Sequence, residues 1–240
     1  KPIRKAGVLG AGLMGGGIAW LFSYRSISVR LKDLNWHAIG KGFEAAGAVY
    51  KQLVKRRRLT RGAATLKMHQ ISGTTDYSGF SSTDVVVEAI VENIAVKKSV
   101  ITELETKVSD STIIASNTSA LSITEMATVM QKPERFVGMH FFSPVNRMPL
   151  VEVIRGEQTS DETVATIVKL SQTLKKTPIV VKNCPGFLVN RILIPYVIEA
   201  VYCLQDGGRI SQIDRLLEDF GLPIGPLALA DEVGLDVGYK

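Results

Sequence analysis

The sequence predicts an α/β fold, a mostly parallel sheet with helices on both faces, followed by an all-helical C-terminal domain that is incomplete here. Three observations carry this. A short apolar strand runs into the glycine-rich turn GAGLMGGGIA and out again to a second strand. Strand and helix signals then alternate to about residue 182, and beyond Lys182 strand signals stop. The expected division is a nucleotide-binding domain over 1–182 and the start of a helical domain over 183–240.

Taken in order, Lys5 to Leu9 reads as a strand, and Ile18, Leu21 and Phe22 give the apolar face of the helix that follows the glycines. Ile27 to Leu31 is a second strand ending at Asp33. A strand, turn, helix, strand unit of about 30 residues implies parallel pairing through a right-handed crossover. Trp36 to about Lys67 is charged and alanine-rich, a helical hairpin broken near Thr60 and Gly62. Further strands are expected at Gln70 to Ser72, Asp84 to Ala89, Thr112 to Ser116, Phe136 to Phe142, Leu150 to Ile154 and Pro178 to Val181. Helices are expected at Ile94 to Lys107, Ser122 to Met130 and Asp161 to Lys175. After the turn Asn183-Cys184-Pro185-Gly186, helical periodicity runs from Phe187 through Leu204 and again from Ser211 to Phe220.

Composition narrows the function classes. The chain has 240 residues, 45% hydrophobic and 22% charged, the balance of an ordinary globular protein. No stretch reaches the roughly 20 apolar residues of a membrane span, and the basic N-terminus lacks the apolar segment of a secretion signal. Cys184 and Cys203 have no metal-ligand spacing and are too few for a disulfide scaffold. A cytoplasmic protein without a membrane span is expected. The chain opens at Lys1 and stops at Gly238-Tyr239-Lys240 soon after a helix start, so a fragment of a longer polypeptide, or one with trimmed ends, is also expected. Net charge is +6, and the densest basic run is Lys55, Arg56, Arg57 and Arg58, with Arg61 close by. A solvated helix face accounts for it plainly; a landing surface for the phosphates of a nucleotide-bearing substrate such as a coenzyme A ester is the functional alternative. Nucleic acid is not expected, because the run has no interleaved aromatics and no accompanying motif.

Gly10, Gly12 and Gly15 give the spacing G-x-G-x-x-G, with Leu13 and Met14 opening the helix. The first glycine permits the turn, the second lets backbone approach a pyrophosphate, and the third lets helix pack on strand. The helix N-terminus adds partial positive charge. Because the motif lies between a strand and a helix, with Asp33 ending the next strand, a Rossmann-like dinucleotide site is predicted. Asp33 is placed to accept hydrogen bonds from the adenosine ribose and to repel a 2′-phosphate, favouring NAD over NADP. Arg30 and Lys32 soften that preference, and the alternative for Asp33 is a turn or helix-cap residue.

Of the three histidines, His37 and His69 sit in polar helical stretches and read as solvated. His140 ends an apolar strand, at the sheet edge where ligands bind, and Glu152 lies near the end of the next apolar strand. A carboxylate among Leu150, Val151, Val153 and Ile154 is costly to bury unless paired. Pairing with His140 would fix the imidazole tautomer and strengthen it as a base. With the cofactor loop upstream, this suggests alcohol oxidation by hydride transfer. Ser119 in SNTSALSI could bond a substrate oxygen, although a cap is the ordinary role of a serine there. Asn190 in PGFLVNR, read as mid-helix, would ordinarily be exposed.

The motifs VLGAGLMGGGIA, VVVEAIVEN, ASNTSALSI, GMHFFSPV, LVEVIRG and PGFLVNRIL together resemble the L-3-hydroxyacyl-CoA dehydrogenase family, in order and over essentially the whole chain. GTTDY at Gly73 to Tyr77, VKRRRL at Val54 to Leu59 and Ser143 look most like the dehydrogenase region of bacterial multifunctional fatty-acid oxidation complex alpha subunits, which also carry an enoyl-CoA hydratase. The resemblance implies NAD as cofactor, an acyl-CoA substrate and a thiolase beta subunit as partner in a hetero-oligomer. It makes His140 the general base, with Glu152 orienting it. Ser119 and Asn190 would bond the reacting oxygen, Asn190 on closure of the two domains. Glu92 and Lys97 would lie near the cofactor ribose, where the plain alternative is a surface helix pair, and Asn117 beside the nicotinamide. Many single-domain members carry asparagine where Ser143 stands, and no catalytic role is expected of Ser143. A dehydrogenase of a small hydroxy acid or sugar acid, and a non-catalytic NAD-binding structural protein, are the alternatives on the same fold.

Overall fold

The apolar runs Val85-Val86-Val87 and Ile113-Ile114-Ala115 are buried on both sides in the computed structural model, as strands inside a parallel sheet must be. The structure describes residues 2–233, which form two compact units, one ending at Pro185 and one beginning at Gly186. The first unit carries strands β1 (Lys5–Leu9), β2 (Ser28–Lys32), β3 (Ile71–Thr74), β4 (Val85–Glu88), β5 (Ile113–Ser116), β6 (Phe136–Phe141), β7 (Leu150–Arg155) and β8 (Thr177–Lys182). Its helices are α1 (Leu13–Tyr24), α2 (Trp36–Lys55), α3 (Arg61–Met68), α4 (Ile94–Glu105), α5 (Ile123–Ala127) and α6 (Asp161–Thr173).

The strands form one Rossmann-like sheet in the order β3-β2-β1-β4-β5-β6-β7-β8. Strand order reverses between β1 and β4, which opens a crevice at their carboxyl ends. Every neighbouring pair is parallel except β6 with β7. Side chains alternate across each strand, and the two sheet faces carry different cores. Val85, Val87, Ala115, Met139 and Val153 join the cluster containing Ile18 and Phe22 of α1 and Ile167 of α6. Val86, Ile114, Gly138 and Ile154 point the other way, and a Cβ at Gly138 would meet Ile154 and Ile123 of α5.

The helix starts are set by short polar caps. Asn35, Thr60, Asn93, Ser122 and Ser160 each accept a hydrogen bond from a backbone amide in the first turn of α2 to α6. Only α1, which begins after Gly12, has no side-chain cap among these six. Helix ends differ from the sequence reading. The helix expected over Ser122 to Met130 stops at Ala127; the Thr128 hydroxyl donates to the Glu125 carbonyl at 2.8 Å, and Met130 is buried in the core. The helices expected to reach Lys107 and Lys175 stop at Glu105 and Thr173, the latter ahead of Lys175 at φ 60°.

The second unit is helical, with α7 (Val189–Gln205), α8 (Ile210–Phe220) and α9 (Pro226–Val233). Gly221, in the left-handed region at φ 118°, ends α8, and the Asp214 carboxylate accepts from the amides of Leu227 and Ala228 to start α9. The path of the chain to Gly238–Lys240 lies outside the described residues. Among the described residues no helix is long and apolar enough to cross a membrane.

Candidate active site

Polar side chains replace apolar ones where three strands end on the α4/α5 face of the sheet. Glu88 is the last residue of β4 and pairs in register with Ser116, the last of β5; His140 is the last but one of β6. All three are buried. The reversal of β7 completes the arrangement. Antiparallel pairing sets Glu152 directly opposite His140, so their side chains leave the same face as neighbours. The His140 Nδ1 lies 2.8 Å from Glu152 Oε2, with Glu152 fully buried. Glu152 is the third residue of the six-residue β7, not near its end as the sequence suggested. The register explains this, since an antiparallel partner of a residue late in β6 must come early in β7. An ionised carboxylate can only accept, so Nδ1 donates and Nε2 carries the lone pair.

The strand ends around this pair are fastened. The Asn117 side-chain oxygen accepts from the Phe141 amide at 2.9 Å, and the Phe142 ring sits 4.5 Å from the imidazole, centroid to centroid. In the β6–β7 connection the Lys176 ammonium donates to the carbonyls of Val145 and Met148. Burial, with the charge of Arg25 adding, pushes that ammonium down to about 8. Ser143 stands in this connection, before a cis bond to Pro144.

The glycine loop follows β1 into the crevice. Gly10 has φ 91° and its amide donates to the Lys32 carbonyl at 2.9 Å, a conformation that favours glycine. A Cβ at Gly15 would run into the Gly10 carbonyl, whereas one at Gly12 would meet nothing within 4 Å. The loop therefore leaves its backbone approachable, and the uncapped first turn of α1, at Leu13 and Met14, presents amides to it. A cleft of about 370 Å³ lies here, lined by Gly10, Gly12, Asp33, Leu34, Ile90 and Val96 among others. An open glycine cradle, uncapped amides and an apolar wall fit a dinucleotide.

Asp33 fills the turn role considered for it and also borders the cleft. Its Oδ2 accepts from the Ala11 amide and its Oδ1 from the Leu34 amide, each at 2.6 Å, so it ties the glycine loop to the end of β2 while bordering the cleft. Of the nearby cations, Arg30 donates to the Ser78 carbonyl at 2.7 Å, whereas Lys32 lines the cleft beside Asp33, its ammonium 4.7 Å from the centre of the Tyr77 ring. Asp33→Ala is expected to weaken NADH binding at least about tenfold, the size of losing a charge-assisted hydrogen bond, and to narrow the preference over NADPH. Titration of both cofactors checks this, and unchanged selectivity would mean that the ribose is read elsewhere.

Glu92 and Lys97 form no surface helix pair. The Lys97 side chain is 1% exposed, with its ammonium 2.5 Å from Glu88 and 3.3 Å from Glu92. Glu92 Oε1 accepts from the Thr118 hydroxyl at 2.5 Å, the Ser119 amide at 3.0 Å and the Ser119 hydroxyl at 3.3 Å. Burial pushes the Glu92 carboxyl up, but these hydrogen bonds and Lys97 outweigh it and hold the group below the usual range. The capping expected of Ser119 falls to Thr118, which accepts from the Leu121 amide, and to Ser122. His37 and His69 are exposed, as are Lys55 to Arg58 at the end of α2. Asn190 belongs to the second unit and is half-buried in the first turn of α7, not in mid-helix. Sequence reasoning passed over Glu88, although a carboxylate closing the run Val85 to Val87 is the same signal that singled out Glu152.

Comparison with known proteins agrees with this geometry. Residues 5–184 match the family model described as 3-hydroxyacyl-CoA dehydrogenase, NAD binding domain, and residues 186–240 match the C-terminal domain of the same description. The fatty acid oxidation complex subunit alpha of Acinetobacter baylyi is 48% identical over 237 residues, covering 99% of this chain and 33% of the relative. The protein of the same name from a Psychrobacter species is 47% identical, covering 98% and 33%. The chain thus spans about a third of the length of these relatives. Among solved structures, the (S)-3-hydroxybutyryl-CoA dehydrogenase of Ralstonia eutropha superposes with a TM-score of 0.95 at 43% identity, covering 99% of this chain and 85% of that one.

Proposed function

This chain belongs to the 3-hydroxyacyl-CoA dehydrogenase family, whose NAD-binding and C-terminal domains it carries, and on that premise we propose that it oxidises L-3-hydroxyacyl-CoA to 3-ketoacyl-CoA with NAD in fatty-acid β-oxidation. The buried His140–Glu152 contact at the carboxyl edge of the sheet is the observation that carries the reading. Glu152 accepts a hydrogen bond from Nδ1–H and so aims Nε2 outward; Nε2 takes the proton of the substrate 3-hydroxyl as the C3–H bond breaks. NAD, when bound, would supply the acceptor for the hydride that leaves C3. Glu152 then balances the imidazolium inside the protein, where an unpaired cation would be costly. Ser119 is assigned one hydrogen bond to the reacting oxygen, and Asn190, on the family resemblance alone, a second.

Residues 1–182 are proposed to bind the cofactor, with 183–240 opening the C-terminal domain. Gly10, Gly12, Leu13, Met14 and Gly15 would hold the pyrophosphate by backbone, Asp33 the adenosine ribose, Glu92 and Lys97 the second ribose, and Asn117 the nicotinamide side. The exposed Lys55 to Arg58 run would receive the phosphates of coenzyme A. By the same reading the chain is the dehydrogenase part of a cytoplasmic multifunctional enzyme that also carries enoyl-CoA hydratase activity and meets a thiolase beta subunit.

NADH consumption with acetoacetyl-CoA, run beside free acetoacetate, tests the reaction. Turnover of the ester and none of the acid is expected, and Lys55→Gln with Arg56→Gln and Arg58→Gln should raise KM for the ester without changing NADH affinity. Comparable turnover of the free acid would favour a small hydroxy acid dehydrogenase. NADH binding with neither substrate consumed would favour a non-catalytic role.

A further inference from the structure

Glu88 touches neither the cleft of the glycine loop nor the His140–Glu152 pair, yet it is fully buried and fully engaged. Its Oε1 accepts from the Lys97 ammonium at 2.5 Å and the Ile90 amide at 2.8 Å, and its Oε2 accepts from the Ser116 hydroxyl at 2.6 Å. Lys97 in turn reaches Glu92, the member of the group whose side chain is 40% exposed, and Glu92 holds Thr118 and Ser119. The group ties together the ends of β4 and β5, the loop after β4, the first turn of α4 and the loop after β5.

Charge decides what the arrangement does. Two carboxylates and one ammonium leave one negative charge. Lys97 stands closer to Glu88 than to Glu92, so Glu88 takes the larger part of its field, while at 3.3 Å the same ammonium still favours the ionised Glu92. A buried ion pair is a weak source of stability compared with apolar packing. Its place at the carboxyl edge of the sheet, between a cofactor loop and a substrate loop, calls for another use. We infer that Glu88 is a positioning residue: it anchors the Lys97 ammonium between the two carboxylates, so that Glu92 is left in reach of the second loop and keeps Ser119 in place. The inference rests on the reading above, in which Glu92 serves the cofactor and Ser119 the substrate. Without the charge of Glu88, the Lys97 ammonium would turn to Glu92 and draw it away from both loops.

The test is a double-mutant cycle in the full chain, read by NADH titration, by KM for acetoacetyl-CoA and kcat, and by thermal melting. Glu88→Gln should weaken NADH binding about tenfold, within the range seen for groups in one network, and raise KM for the ester while changing kcat far less. Added to Glu92→Gln, it should cost no further NADH affinity, because it acts through that carboxylate. A lowered melting temperature with wild-type NADH affinity in Glu88→Gln would make the pair merely structural and overturn the inference, as would additive losses in the double variant. If Glu88→Gln does not fold, Ser116→Ala, which removes one hydrogen bond to Glu88 and also the acceptor of the Thr118 amide but no charge, is compared alone and in Glu92→Gln: a loss of affinity that vanishes in the Glu92→Gln background supports the coupling, and an unchanged affinity or an additive loss overturns it. If Glu92→Gln itself binds NADH like wild type, the reading of the site falls and this inference with it. If Glu92→Gln weakens binding and Glu88→Gln does not, only the inference falls.

Discussion

Replacing His140 with glutamine is expected to lower turnover of acetoacetyl-CoA by roughly 10²–10⁴-fold, the contribution typical of a positioned general base or acid, and to leave NADH affinity near wild type. The expectation follows from what glutamine keeps and loses. Its amide can donate to the buried Glu152, so that carboxylate is not left unsatisfied. It has no nitrogen that takes up a proton near neutral pH. Because His140 lies at the end of β6 and the glycine loop follows β1, the cofactor cleft is untouched by the change. Steady-state rates alongside an NADH titration separate the two effects. Substantial turnover in the variant would remove His140 from the proton-transfer role.

Gly15→Ala is expected to weaken NADH binding by about 10²-fold or more, a loss of ~3 kcal/mol, and to lower the melting temperature as well. The added methyl would overlap the Gly10 carbonyl, and both atoms are backbone or fixed to it. Either α1 moves off the sheet or the Gly10 turn opens, and each displaces the amides proposed for the pyrophosphate. Overpacking of this kind costs about 1–3 kcal/mol of stability. Gly12→Ala makes the control: its methyl meets nothing within 4 Å, so the fold should melt like wild type while the methyl faces the incoming pyrophosphate. Equal melting and equal affinity in Gly15→Ala would show that the loop relaxes freely and that close helix–strand packing there is dispensable.

Most of the proposed site is legible in the sequence because its residues contradict their surroundings. Glu152 stood out in an apolar strand, His140 at the end of another, and the glycines between a strand and a helix. Glu88 carries the same contradiction but reads only as part of a strand, and its partner Lys97 is placed near the cofactor ribose by resemblance, with a surface helix pair as the alternative. Burial of Lys97 depends on how α4 docks against the sheet, which a lysine in a helical stretch does not encode. Strand direction was equally hidden. Apolar alternation is the same for parallel and antiparallel neighbours, so the reversal that brings Glu152 opposite His140 required the assembled sheet. Helix starts are legible through their Asn, Ser and Thr caps, whereas the early end of α5 at Ala127 has no such signal.

The reversal at β6–β7 also bears on how the molecule assembles. His140 and Glu152 are 12 residues apart, whereas Glu88 and Ser116 are 28 apart and Glu92 and Ser119 are 27. Closing a shorter loop loses less chain entropy, and antiparallel neighbours need no crossover helix before they pair. The imidazole and its carboxylate can thus meet as soon as one hairpin forms, ahead of the long-range pairings that build the nucleotide crevice. Lesions in that crevice, such as a methyl at Gly15, are then expected to weaken coenzyme binding while sparing the His140–Glu152 contact, whose two residues face each other across a single hairpin.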